Sequence, residues 1–137
     1  MILIAASLAL AGPAYDLLKV RDAVGCDALG EATPALRDEL LLLAAPDVLP
    51  SAVPMRAALC LAQRFGDDAS VRSTVVDWTA DPAHRGQVLL LLGNTDGLRD
   101  PLASELVAAA LLAGDERVRA RARRVTEQTS VPIIVTP

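Results

Sequence analysis

Two cysteines, one histidine and a crowd of arginines are the side chains in this 137-residue sequence whose types and spacing could do chemistry. Cys26 and Cys60 are the only cysteines, and both follow an apolar N-terminal run. An even count in an exported chain points to a disulfide between them. That bond would close a loop of about 35 residues and contribute about 4 kcal/mol in the chain-entropy account. Two unpaired buried thiols are the alternative. His84 falls in the first turn of a predicted helix, in a slot where equivalent turns hold Val, Leu or Met. That slot makes it a partly buried structural residue. A zinc site built from Cys26, Cys60 and His84 lacks the paired-ligand spacing such sites use. No nucleophile motif accompanies His84 as a base.

The acidic pairs Asp38-Glu39, Asp67-Asp68 and Asp115-Glu116 sit in or just before first helical turns. The helix dipole favours anions there, so capping explains them better than acid–base chemistry does. Asn94-Thr95-Asp96-Gly97 resembles the middle of an EF-hand loop. The first and twelfth ligands would then be Leu92 and Ala103, so the stretch is better read as a turn. No glycine pattern could cradle a phosphate. The sequence therefore predicts no catalytic residue, no metal ligand and no cofactor. What remains is Arg117, Arg119, Arg121, Arg123 and Arg124 on the last predicted helix. At 3.6 residues per turn, Arg117, Arg121 and Arg124 share a face. They are either the solvated outer face of a terminal capping helix or a small patch for an acidic partner. Glu116 and Glu127 partly neutralise it.

The elements that must carry these residues are short helices with a recurring opening. A capping residue is followed by an apolar position and an Arg. Asp68-Ala69-Ser70-Val71-Arg72 is the cleanest copy, and Asp81-Pro82-Ala83-His84-Arg85 and Ser51-Ala52-Val53-Pro54-Met55-Arg56 follow it. Thr33-Pro34-Ala35-Leu36-Arg37, Asp96-Gly97-Leu98-Arg99 and Asp115-Glu116-Arg117-Val118-Arg119 repeat it elsewhere. Asp, Ser or Thr at an N-cap accepts bonds from the unpaired first-turn N–H groups, and Pro suits the position after it. The apolar residue starts the buried stripe, and the Arg beside it is expected to point outward.

This reading places seven helices, at residues 15–24, 34–45, 54–65, 69–80, 82–92, 101–113 and 116–128. Residues 129–137 read as an extended tail. The inward stripes are Leu17, Val20 and Val24 on the first, Leu36, Leu40 and Leu43 on the second, and Val118, Ala122 and Val125 on the seventh. The apolar fraction is 53% and the aromatic fraction 2%, so Leu, Ala and Val supply the core. The length fits one domain.

Residues 2–11 form an uncharged apolar run ending in Ala9-Leu10-Ala11, a small-x-small cleavage pattern. We read residues 1–14 as a signal peptide, with maturation near Gly12 or Tyr15. The run is too short to span a bilayer, and a first helix buried against the next is the alternative. The net charge of −4 argues against nucleic acid as a partner.

The paired short helices, the Pro near a helix start and the Asp-x-x-Val-Arg opening resemble HEAT or armadillo-like repeats over residues 34–128. The resemblance implies an all-α fold, a short right-handed α-solenoid of antiparallel helix pairs, across residues 15–128. Its period of 27 to 35 residues, read from the Arg positions 37, 56, 72, 85, 99 and 119, is shorter than the family's usual repeat. Such repeats are generally interaction scaffolds. The expectation is a bacterial, secreted or periplasmic module that binds another protein, with no membrane insertion of the mature chain. The alternative from another class is an enzyme or enzyme subunit, of lyase or glycosylase type, on the same kind of scaffold.

Overall fold

The computed structural model describes residues 13–19 and 25–134, with the last six as backbone. The apolar run read as a signal peptide lies outside them up to residue 12. So do residues 20–24, the second half of the predicted first helix, and residues 135–137. The described residues are all-helical. Seven α-helices, short 3-10 turns and no strand appear among them: α1 (Pro13–Leu18), α2 (Pro34–Leu43), α3 (Ala52–Phe65), α4 (Ala69–Asp77), α5 (Arg85–Leu92), α6 (Leu102–Leu111) and α7 (Glu116–Ile134). The chain divides into two compact units, Met1–Phe65 and Gly66–Pro137.

In the first unit α2 and α3 pack along each other. Thr33 caps α2, its hydroxyl accepting from the Leu36 N–H at 3.1 Å with Pro34 next in line. Leu36, Leu40 and Leu43 then fall on the buried face, as their spacing requires. α3 is buried nearly all round, through Val53, Ala57, Ala58, Leu61, Ala62 and Phe65.

The first helix departs from expectation. It begins at Pro13, and its inward residues are Ala14 and Leu18, while Leu17 is only half-buried. The earlier start makes Ala14 and Leu18 the i, i+4 pair on the core side. The N–H groups of Ala14 and Tyr15 donate to one Glu39 carboxylate oxygen at 3.0 and 3.2 Å. A side chain of α2 thus satisfies first-turn donors that α1 cannot satisfy itself.

One face of α3 fastens the rest of this N-terminal segment. Arg56 donates to the Leu18 carbonyl at 2.7 Å, Cys60 is bonded to Cys26, and Arg64 donates to the Cys26 carbonyl at 2.8 Å and to the Gly30 carbonyl. The spacing i, i+4, i+8 stacks the three ties one turn apart. The Cys26–Cys60 disulfide expected from the sequence is present, with the two Cα atoms 5.3 Å apart. It anchors a 3-10 turn, Cys26–Leu29, which closes on Gly30 at φ 86°. That left-handed backbone is why glycine stands there.

In the second unit, Asp68 caps α4 by accepting from the Ser70 and Val71 N–H groups at 2.8 and 3.3 Å. Val71 and Val75 face inward. Where the sequence predicts continuous helices over 69–80 and 82–92, α4 stops at Asp77 and α5 starts at Arg85. Two 3-10 turns, Trp78–Ala80 and Pro82–His84, lie between them. Asp81 has extended backbone and caps the second turn, its carboxylate accepting from the Ala83 N–H at 3.0 Å. A capping residue so close to Trp78 leaves no room for another α-helical turn.

α6 packs on α4 and α7, and α5 packs on α7. Leu102, Leu106 and Ala110 of α6 are fully buried. The seventh helix corrects the expected tail. It does not end at Gln128 but runs to Ile134, and the residues read as extended from 129 onward are helical as far as they are described. Thr129, Ser130 and Val131 include no glycine or proline that would stop a helix, and Pro132 lies within its last turn.

Candidate partner-binding face

Helix α7 is set by its first turn. One Asp115 carboxylate oxygen accepts from the Arg117 and Val118 N–H groups at 2.8 and 3.3 Å, and the other accepts from Arg85 Nε at 2.5 Å. The Arg85 bond, followed by the two backbone donors, holds the Asp115 carboxyl below the usual carboxylate range. With the start fixed, Val118, Ala122 and Val125 turn inward, with 1%, 0% and 8% of their surface exposed. The preceding residue in each case, Arg117, Arg121 and Arg124, lies 100° further round the helix. Arg117 and Arg124 are exposed and Arg121 is half-buried.

The other described arginines have partners within the fold; Arg85 and Arg99 are exposed as expected, whereas Arg56, Arg72 and Arg119 turn back onto backbone carbonyls, which the outward-pointing expectation missed. Arg72 donates to the carbonyls of Gly66 and Asp67 at 3.3 and 2.8 Å, and pairs with Glu105. Arg119 donates to the carbonyls of Ala113 and Gly114 at 2.6 and 3.0 Å, and pairs with Glu116. In both, the arginine four residues after the cap folds back over the turn before its own helix. Arg123 also pairs with Glu116, at 3.1 Å, and these two arginines lower the Glu116 carboxyl. Arg85 holds Asp115, Arg99 reaches Asp67 at 3.5 Å, and Arg37 bonds Asp38 at 3.0 Å. Arg56 and Arg64 bind carbonyls as described above. Among the described residues, the arginines whose guanidinium groups have no hydrogen-bond or ion-pair partner are Arg117, Arg121 and Arg124.

Two of the three open onto one groove. Arg121 and Arg124 line a hollow of about 530 Å³ together with Gly93, Thr95, Asp96 and Gln128. Arg117 continues the same stripe outside it. Gly93 closes α5, and a Cβ there would stand 3.3 Å from Arg121 Nη1. The sequence marks Gly93 only as a helix stop. Its second role, giving the guanidinium room beside the carbonyl end of α5, is visible only once the two helices are packed. The negative end of the helix dipole favours a cation there.

His84 is partly buried, as its slot predicts, with 16% of its side chain exposed. Its ring stacks on Trp78 with centroids 5.0 Å apart and planes 6° from parallel, and its Nδ1 lies 2.9 Å from an Asp81 carboxylate oxygen. The Ala83 N–H and His84 together lower the Asp81 carboxyl. A neighbouring hollow of about 250 Å³ is lined by Trp78, Asp81, Arg85 and Asp115, but not by His84. Its two carboxylates are occupied in capping and pairing, which leaves neither placed as a base. Asn94–Gly97 is a turn, with Asn94 Nδ2 donating to the Leu90 carbonyl at 2.7 Å. Among the described residues no group of three or more His, Cys, Asp or Glu is arranged to hold a metal ion.

Comparison with family models, with curated proteins and with solved structures finds no match for this chain.

Proposed function

We propose that this chain is an exported helical-repeat module that binds another protein and carries out no chemistry of its own, and that the face bearing Arg117, Arg121 and Arg124 is where the partner docks. The observation that carries this reading is the division of labour among the arginines. Eight of those described are used within the fold, and the three on one face of α7 are left to solvent and ligand. A guanidinium is over-represented where planar acceptors are recognised.

The repeat part of the reading, a short right-handed HEAT-like solenoid, is supported by the arginine clamp over the turn. It recurs at Arg72 and Arg119, at the openings of α4 and α7. Export is supported by the disulfide, which suits an oxidising compartment. Among the described residues no helix is long and apolar enough to cross a membrane. The alternative, an enzyme built on this scaffold, has Trp78, His84 and Asp81 gathered in its favour, but those groups are spent on stacking and capping.

Two measurements test the proposal. Mass spectrometry of the protein recovered from outside the cytoplasm should show an N-terminus near Gly12, and an intact Met1 would remove export. An envelope extract passed over the immobilised chain should yield a partner that an Arg117→Ala, Arg121→Ala, Arg124→Ala triple variant no longer holds. Equal capture by both would refute the docking face.

A further inference from the structure

We infer that the groove between α7 and the Thr95–Gly97 turn binds an extended acidic peptide segment with carboxylates at alternate positions. The inference rests on the proposed partner-binding role and names the chemistry of what binds. The stripe from Arg117 through Arg121 and Arg124 to Gln128 rises by about 17 Å along the helix. An extended strand of about five residues covers that length. Neighbouring arginines on the stripe are separated by rises of about 4.5 and 6 Å. Side chains on one edge of an extended strand recur at about 6.6 Å. Acidic residues at positions one, three and five therefore meet the three guanidinium groups in order, while the residues between them point away.

The facing wall of the groove selects peptide over nucleic acid. Thr95 and Asp96 line it opposite Arg121 and Arg124. Their oxygens can accept from the main-chain N–H groups of a peptide, and a phosphodiester backbone has no such donor. The chain as a whole carries a net charge of −4. The three arginines without side-chain partners form one short stripe, which is too short to track a polyanion.

Fluorescence anisotropy on the full chain decides the matter, using a labelled Glu-Ser-Glu-Ser-Glu peptide as probe. Binding should weaken with added salt and should vanish for the Gln-Ser-Gln-Ser-Gln counterpart. Arg121→Ala and Arg124→Ala should each lower affinity about fivefold, and Arg117→Ala by no more than that, as befits exposed ion pairs. Arg99→Ala, whose side chain pairs with Asp67, should leave affinity unchanged. Gly93→Ala should weaken binding without changing the melting temperature, because the added methyl displaces only the end of the Arg121 side chain. Arg121→Glu should lose the acidic peptide and gain affinity for its Glu-Ser-Lys-Ser-Glu relative, whose lysine stands at the middle position, which excludes a merely structural effect of the substitution. Absence of peptide binding, or equal or tighter binding of a single-stranded DNA 12-mer, overturns the inference. If the peptide fails while the triple variant still loses its envelope partner, the acidic-strand chemistry is wrong and the docking face stands. If both fail, the docking face falls too.

Discussion

Reduction of the Cys26–Cys60 bond is the perturbation whose size the structure fixes best. The bond links residues 34 apart in sequence, both within the first unit. In the chain-entropy account a loop of that length restricts the unfolded chain by about 13 cal/mol/K, or about 4 kcal/mol at 25 °C. The folded geometry has other supports in the same place: Arg64 on the Cys26 and Gly30 carbonyls, Arg56 on the Leu18 carbonyl, and Glu39 on the start of α1. The effect of reduction should therefore fall mainly on the unfolded state. Urea unfolding with and without reductant separates the two cases. The midpoint should drop, and the dependence on urea should steepen as the freed chain exposes more surface. Measured against a typical stability of 5–15 kcal/mol, a loss of about 2–4 kcal/mol is large. In a domain of about 100 residues it corresponds to a fall in Tm of at least about 8 °C. Hydrogen exchange should quicken across residues 25–30. A fully reduced protein with an unchanged midpoint would refute this reasoning, as would two titratable thiols before any reductant is added.

Glu39→Gln should destabilise the first unit by about 1–2 kcal/mol, since a charged acceptor serving two first-turn N–H groups becomes neutral; equilibrium unfolding measures it, and no change would mean α1 is held by Ala14 and Leu18 alone. Arg119→Ala, which removes the clamp on the Ala113 and Gly114 carbonyls, should cost about 1–2 kcal/mol, whereas Arg117→Ala should stay within about 0.5 kcal/mol. Asp81, Asp115 and Glu116 all have lowered folded-state pKa values. Their stabilisation is complete above the ordinary carboxylate range, near pH 4, and is lost as the pH falls through the lowered values. Tm should therefore decline on acidification below about pH 4.5, and Asp115→Asn should flatten that decline; an unaltered slope would show that the Arg85 pair contributes nothing. His84→Ala should shift the emission of Trp78, the only tryptophan, because it removes the ring that stacks on it.

Much of this fold follows from local rules. Thr33, Asp68, Asp81 and Asp115 each cap the turn their sequence position announces. The stripes on α2 and α7 are buried as their periodicity requires. The pairing of Cys26 with Cys60 was legible from their number and placement. The misses are long-range. Glu39 reads as half of an acidic pair with Asp38, but it lies past the first turn of α2, and nothing nearby reveals that it serves a helix 24 residues earlier. The outward-pointing rule for arginines holds at Arg85 and Arg99 and fails at Arg72 and Arg119, because carbonyls left unpaired in a turn compete with water for a guanidinium. The face of α7 could be drawn from a 100° rotation. Which of its arginines stay free depended on where Glu105, Glu116 and the turn carbonyls come to lie, and that is settled only by packing.

The one-sided fastening of the N-terminal segment to α3 has a consequence in time. Every partner of Leu18, Cys26 and Gly30 described above lies 34 to 38 residues further along the chain. At a synthesis rate of about 5–20 residues per second, Cys26 leaves the ribosome about 2–8 s before Arg64 does. Through that interval the Cys26–Gly30 turn lacks the α3 partners described above, so it stays open to any machinery that handles unfolded chains. Within the first unit, the Cys26–Gly30 turn is closed by the helix made last, α3.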